Sequence, residues 1–139
     1  MKINELRLKF PNAIIGDGAI IGDGVTIDNG VTIGSGVTIG SGGVIGENAE
    51  LGNSVTLGDR VTVGDGVTMG NGVTVGDCVT LGDYIRLGYR VTVGDGVTLG
   101  DCVTLGDCVT VGDGVALRDG TRLDDNLIIS KNKIWRKEK

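Results

Sequence analysis

From residue 15 to residue 129 every sixth position is a branched aliphatic or Met: Ile15, Ile21, Ile27, Ile33, Ile39, Ile45, Leu51, Leu57, Val63, Met69, Val75, Leu81, Leu87, Val93, Leu99, Leu105, Val111, Leu117, Leu123 and Ile129. Two positions ahead runs a second column of mostly Val and Ala, from Ala13, Ala19 and Val25 through Val109 to Val115. Side chains alternate faces along a strand, so two apolar residues separated by one polar residue turn the same way. Each hexad therefore predicts one three-residue strand with both apolar members inside, and no insertion interrupts the period.

A corner is expected after each strand. Gly follows the aliphatic in nearly every repeat, as at Gly16, Gly22, Gly34 and Gly40, then comes Asp, Asn or Ser, and often a second Gly. Gly reaches backbone conformations that cost other residues energy, and Asp or Asn can hydrogen-bond within its own turn. Units this short cannot bury their own apolar face, so they must stack into a solenoid.

The run Ile21-Gly22-Asp23-Gly24-Val25-Thr26 and its successors resemble the bacterial transferase hexapeptide-repeat superfamily over about residues 13 to 129. The resemblance implies a single-stranded left-handed parallel β-helix, a triangular solenoid in which three hexads close one coil of 18 residues. It alone supplies the handedness, since the general crossover rule favours the right hand. The all-β chain then makes about six to seven coils, ~30 Å long at the usual spacing of stacked strands.

Composition agrees with one domain of this kind. The 27 Gly supply corners, the single Pro, Pro11, precedes the repeats, and a 3% aromatic content suits a core of stacked aliphatics. A disordered Gly-rich tract would lack the 40% apolar fraction. A calcium-binding β-roll repeats every nine residues, against six here. The expected organisation is an N-terminal cap segment over residues 1–12, the β-helix over 13–129, and a basic C-terminal cap or tail over 130–139. Leu6, Leu8 and Phe10 alternate and suggest one lid; Trp135 suggests the other.

Charge narrows the partners. Lys131, Lys133, Arg136, Lys137 and Lys139 face only Glu138 in the tail, while the body is acidic and the whole chain carries a formal charge of -5. A basic tail beside an acidic prism reads as packing near its own body, so neither nucleic acid nor a membrane is expected as a partner. No signal or transmembrane run is evident, and a cytoplasmic location is the expectation. Cys78, Cys102 and Cys108 leave different remainders on division by eighteen and fall on three corners, ~15–20 Å apart along the chain. That exceeds the roughly 7 Å Cα separation a disulfide tolerates, so free thiols are expected.

The same division sorts outward residues onto faces. The first carries Thr32, Glu50, Thr68, Arg86, Thr104 and Arg122; the second Ile20, Thr38, Thr56, Thr74, Thr92 and Thr110; the third Thr26, Val44, Thr62, Thr80, Thr98 and Ala116, with Ile134 ending it. Corner acids form two columns, Glu47, Asp65, Asp83, Asp101 and Asp119 on one edge and Asp59, Asp77, Asp95 and Asp113 on another. Like charges so spaced repel by about 1 kcal/mol per neighbour in water, and each column is expected to hold cations loosely.

Three functions are open on these residues. In the family resembled, acyltransferases use a His as general base and bind an acyl carrier or acyl-CoA between subunits, commonly beside a projecting loop; a carbonic-anhydrase branch holds zinc with three His. This chain has no His and no inserted loop. No catalytic residue, metal ligand or cofactor is therefore assigned, and the main expectation is a protein that is not an enzyme, a structural or protein-interaction β-solenoid. A subunit or relic of a hexapeptide-repeat acyltransferase-type protein is the alternative. An ice-binding protein using the Thr array Thr38, Thr56, Thr74, Thr92 and Thr110 is third, although that array is only one Thr wide. A candidate interaction patch comprises Tyr84, Arg86, Tyr89 and Arg90 with Cys102 and Cys108 one coil on, because Tyr and Arg favour binding hot spots. Family members are mostly trimers, so a homotrimer through the uncharged second and third faces is expected. The regularity also fits a consensus-like or designed chain.

Overall fold

Each strand pairs with the strand eighteen residues further on, which turns the hexad period into a three-sided coil. Residues 3–130 and 134–136 of a computed structural model describe the protein, with one helix and twenty-one strands among them. The strands assemble into three sheets of seven, eight and six, one per face. The coils wind as a left-handed parallel β-helix. Register is strict: on the first face Thr68 pairs with Glu50 on one side and Arg86 on the other, and on the third Leu81 pairs with Leu99, which pairs with Leu117.

All but the last two strands are two residues long, an outward residue and its aliphatic, rather than the three expected; Leu127–Ile129 and Ile134–Arg136 have three. Both apolar columns are nonetheless inside. Val31, Val37, Val55, Val61 and Val67 are wholly buried, and Ile33, Ile39, Ile45, Leu57 and Leu99 are at most 1% exposed. Burying one such side chain is worth about 1.5–3 kcal/mol. No polar or charged side chain is buried among the described residues. The core is therefore a dry stack of aliphatic ladders.

The two glycine columns have different causes. The Gly directly after the aliphatic is required by close approach: a Cβ on Gly76 would lie 2.8 Å from the Gly94 carbonyl carbon and collide with the Asp95 carboxylate. The position two residues later is left-handed in every described corner, with φ of +75° at Gly72 and +58° at Cys78. A non-glycine residue there costs roughly 1–2 kcal/mol. The first column was expected to serve the turn, and it serves the contact between coils instead.

The ends depart from the repeat. The segment Ile3–Lys9 is a helix (α1), not an alternating lid. Helical spacing puts positions four apart on one face, so Leu6 enters the core at 1% exposure and Phe10 packs beside it, while Leu8 stays 82% exposed. Arg7 ties the helix down by donating to the Ile15 carbonyl (2.9 Å) and pairing with Asp17 (3.3 Å). At the other end the strand Ile134–Arg136 turns back antiparallel onto Leu127–Ile129, extending the second face. Ile134 therefore does not end the third face; the backbone leaves the eighteen-residue register there. The Trp135 side chain, assigned to a cap by sequence, lies outside the described residues.

Candidate functional site

Asp and Asn at the corners act between coils, not within their own turns. The Oδ1 of Asp77 accepts the Asp59 N–H at 2.8 Å, and Asp95 accepts the Asp77 N–H at 2.8 Å. Asp83 and Asp101 repeat the contact on the next edge, accepting from Asp65 and Asp83 at 2.9 and 2.8 Å. Each carboxylate thus gives one oxygen to a backbone donor of the preceding coil, which offsets the repulsion expected within the column. A hydrogen bond to an ionised acceptor is worth about 1.5–3 kcal/mol when shielded, less on a wet corner such as this. The acid columns are built into the fold. No group of three or more His, Cys, Asp or Glu able to hold a metal occurs among the described residues.

The edge between the first and second faces breaks this rule. Its corner column reads Asp17, Ser35, Asn53, Asn71, Tyr89, Asp107 and Asp125, so four consecutive coils have no acid there. Asn53 accepts from Ser35 N–H and Asn71 from Asn53 N–H, keeping the rungs at 2.9 and 2.8 Å. Tyr89 places no acceptor at this rung. Its own N–H donates to Asp107 at 2.9 Å, but its ring carbon Cδ1 would lie 2.9 Å from a Cβ on Gly70, where other coils place the carboxylate oxygen. From Ser35 to Asp107, Asn71 is the one residue of this corner position whose N–H has no acceptor.

Two open grooves flank Tyr89. One, about 710 Å³, runs over the first face past Glu50, Thr68, Asn71, Arg86, Tyr89, Thr104 and Asp107. The other, about 500 Å³, opens on the corner and is lined by Asn53, Ser54, Asn71, Gly72, Tyr89 and Arg90. The proposed patch is therefore divided. Arg86 and Tyr89 share the first groove and Tyr89 and Arg90 the second, whereas Tyr84, 67% exposed, stands on the opposite edge of the first face with its ring over Gly66. Cys102 follows it there, and Cys108 follows Arg90, each held by a backbone bond of 2.9 Å to the coil before. None of these last three lines either groove.

Asn53, Asn71, Glu50 and Asp107 went unnoticed as site residues. Their signal lies in the sequence: this edge lacks an acid over four consecutive coils, from Ser35 to Tyr89, whereas the other two edges lack one in a single coil each, at Ser41 and Asn29. The Thr array does form an in-register column, Thr38 to Thr110 on adjacent strands of the second face. All three cysteines are free, with Cys78 and Cys102 exposed. Cys78 lies one coil beyond Arg60 and, through a hydrogen bond and its charge, is the largest cause of a rise in the Arg60 guanidinium above its already high ordinary value; Asp59 and Asp77 add to it.

The repeat family described as bacterial transferase hexapeptide (six repeats) matches residues 11–46 and 42–77. The chain belongs to this hexapeptide-repeat, left-handed β-helix superfamily. No curated protein matches it in sequence. Among solved structures it is similar to LpxA from Acinetobacter baumannii, with 13% identity, a TM-score of 0.59, and coverage of 88% of this chain and 70% of that one. A hexapeptide transferase family protein from Anaplasma phagocytophilum gives 19%, 0.58, 93% and 86%. PerB from Caulobacter crescentus, solved with CoA and GDP-perosamine, gives 23%, 0.49, 97% and 66%. The chain thus spans about two thirds of PerB's length.

These findings overturn the expectation that the chain is not an enzyme. The repeat model that matches is that of bacterial transferases, and the Anaplasma phagocytophilum protein that shares the fold is itself a hexapeptide transferase family protein. The lack of His removes one general base from the chain and does not by itself exclude catalysis. No helix among the described residues is long and apolar enough to cross a membrane.

Proposed function

We propose that the chain is the β-helix subunit of a hexapeptide-repeat acyltransferase-type protein, with the acyl donor lying along the first face, which points outward from the assembly. The observation that carries this reading is the transferase hexapeptide match over residues 11–77 on an uninterrupted prism. A donor such as acyl-CoA bears several phosphates, and Arg86 in the first-face groove with Arg90 at its corner supplies charge to meet them. With no His in the chain, a proton acceptor must come from another side chain. Glu50 lines the same groove and has no ion-pair partner among the described residues.

The copies associate as a trimer through the second and third faces, where Thr, Val and Ala can approach without stripping water from charges. Contact through two adjoining faces turns the edge between them, with Asp59, Asp77, Asp95 and Asp113, toward the three-fold axis. Association should then strengthen as salt screens those carboxylates. The test is native mass spectrometry and calorimetry of the full chain with acetyl-CoA. A trimer that binds the donor supports the reading; a chain that stays monomeric at high concentration and salt, and takes up no acetyl-CoA, refutes it.

A further inference from the structure

We infer that the corner groove formed by Asn53, Ser54, Asn71, Tyr89 and Arg90 is a binding site for a phosphate monoester carried on a planar ring. This does not depend on acyl transfer. The argument begins with the ladder. Asn53 and Asn71 have each committed Oδ1 to a backbone N–H of the preceding coil, so the side-chain Nδ2 is the free end of each amide. A terminal amide has two N–H donors on that nitrogen and no acceptor. The two amides are stacked one coil apart, ~4.8 Å, and neither Nδ2 has a protein partner among the described residues.

The remaining lining has the same sense. Arg90 adds a positive charge, and its Cγ would lie 3.3 Å from a Cβ on Gly72, so the stem starts against the groove lining. Ser54 adds a hydroxyl, and no acid lines this groove. At the same corner position the other two edges carry acids through these coils: Asp59, Asp77 and Asp95 on one, and Glu47, Asp65, Asp83 and Asp101 on the other. The nearest carboxylate above is Asp107, one of whose oxygens is taken by the Tyr89 N–H. Below, Asp17 is paired with Arg7. A cluster of donors with one fixed positive charge, walled by a half-exposed phenol ring, suits an oxyanion attached to something flat.

Isosteric exchange separates this role from the structural one. Asn53→Asp with Asn71→Asp keeps an Oδ1 for each ladder rung, so the fold remains, but it replaces outward donors with carboxylate oxygens. Titrating the full chain with phenyl phosphate, inorganic phosphate or phenol, and following the Asn53 and Asn71 side-chain amide resonances, gives the readout. Phenyl phosphate should shift both saturably, inorganic phosphate more weakly, and phenol not at all. Binding should weaken at least about tenfold in the double variant and in Arg90→Gln. Unmoved Asn53 and Asn71 resonances, or equal affinity in the double Asp variant at an unchanged melting temperature, would overturn the site. Should the double variant fail to fold, the exposed Arg90→Gln change decides alone.

Discussion

Two edges of one prism follow the same backbone path and are filled by different chemistry. Between the second and third faces the column Asp59, Asp77, Asp95 and Asp113 links coil to coil through carboxylate oxygens. Between the first and second faces Asn53 and Asn71 keep the link while giving up the charge, and Tyr89 gives up the link itself. The corner conformation is the same, with φ of +58° at Cys78 and +57° at Arg90. The difference teaches that the path is set by the buried ladders beneath, and the corner side chain adjusts stability or binds a ligand on top of it.

The largest effect should come from the interior that both edges share. Leu99 is 1% exposed between Leu81 and Leu117, and Leu99→Asp would bury an unpaired charge at a cost of several kcal/mol. Thermal melting should show the variant largely unfolded; parental heat stability would break the shared-interior account. Next, Gly76→Ala forces a Cβ against the Gly94 backbone and should cost about 1–3 kcal/mol, as overpacking does. A neutral result there would mean that the coils are not so closely apposed.

Smaller changes sharpen the contrast between the edges. Asp77→Ala removes the acceptor of the Asp59 N–H and should lose about 1 kcal/mol, whereas Tyr89→Asp supplies the missing acceptor to Asn71 and should gain a similar amount. Denaturant unfolding checks both, and the same sign for the two would contradict the ladder. Cys78→Gly relieves a left-handed non-glycine residue and should raise stability by up to about 1 kcal/mol, read as a modest rise in melting temperature.

The hexad period made the faces, the core ladders and the three separate cysteine corners legible, because apolar burial is written residue by residue. Leu81, Leu99 and Leu117 are predicted neighbours and observed ones. Where the period ends, burial has a different geometry: Leu6 enters the core from a helix and Phe10, just past its end, packs against that core, and Ile134–Arg136 folds back antiparallel, neither of which an alternation rule contains. The candidate site was half legible. Arg86, Tyr89 and Arg90 drew notice as unusual residues, while Asn53 and Asn71 look like ordinary corner residues until the acid column is seen to be structural. The inter-coil bond behind that column, reaching eighteen residues along the chain, has no local signature.

Amide hydrogen exchange on the intact chain tests the ladder most directly, because each rung is one backbone N–H. The corner amides of Asp59, Asp65 and Asp77, each donating at 2.8–2.9 Å to a carboxylate of the next coil, should exchange slowly, and that of Asn71 markedly faster. Local protection follows whether a donor is held or open to water. In Tyr89→Asp the Asn71 amide should slow to match its counterparts. An Asn71 amide already as protected as Asp77 in the parent chain, and unchanged in Tyr89→Asp, would contradict the division between a structural edge and a binding edge.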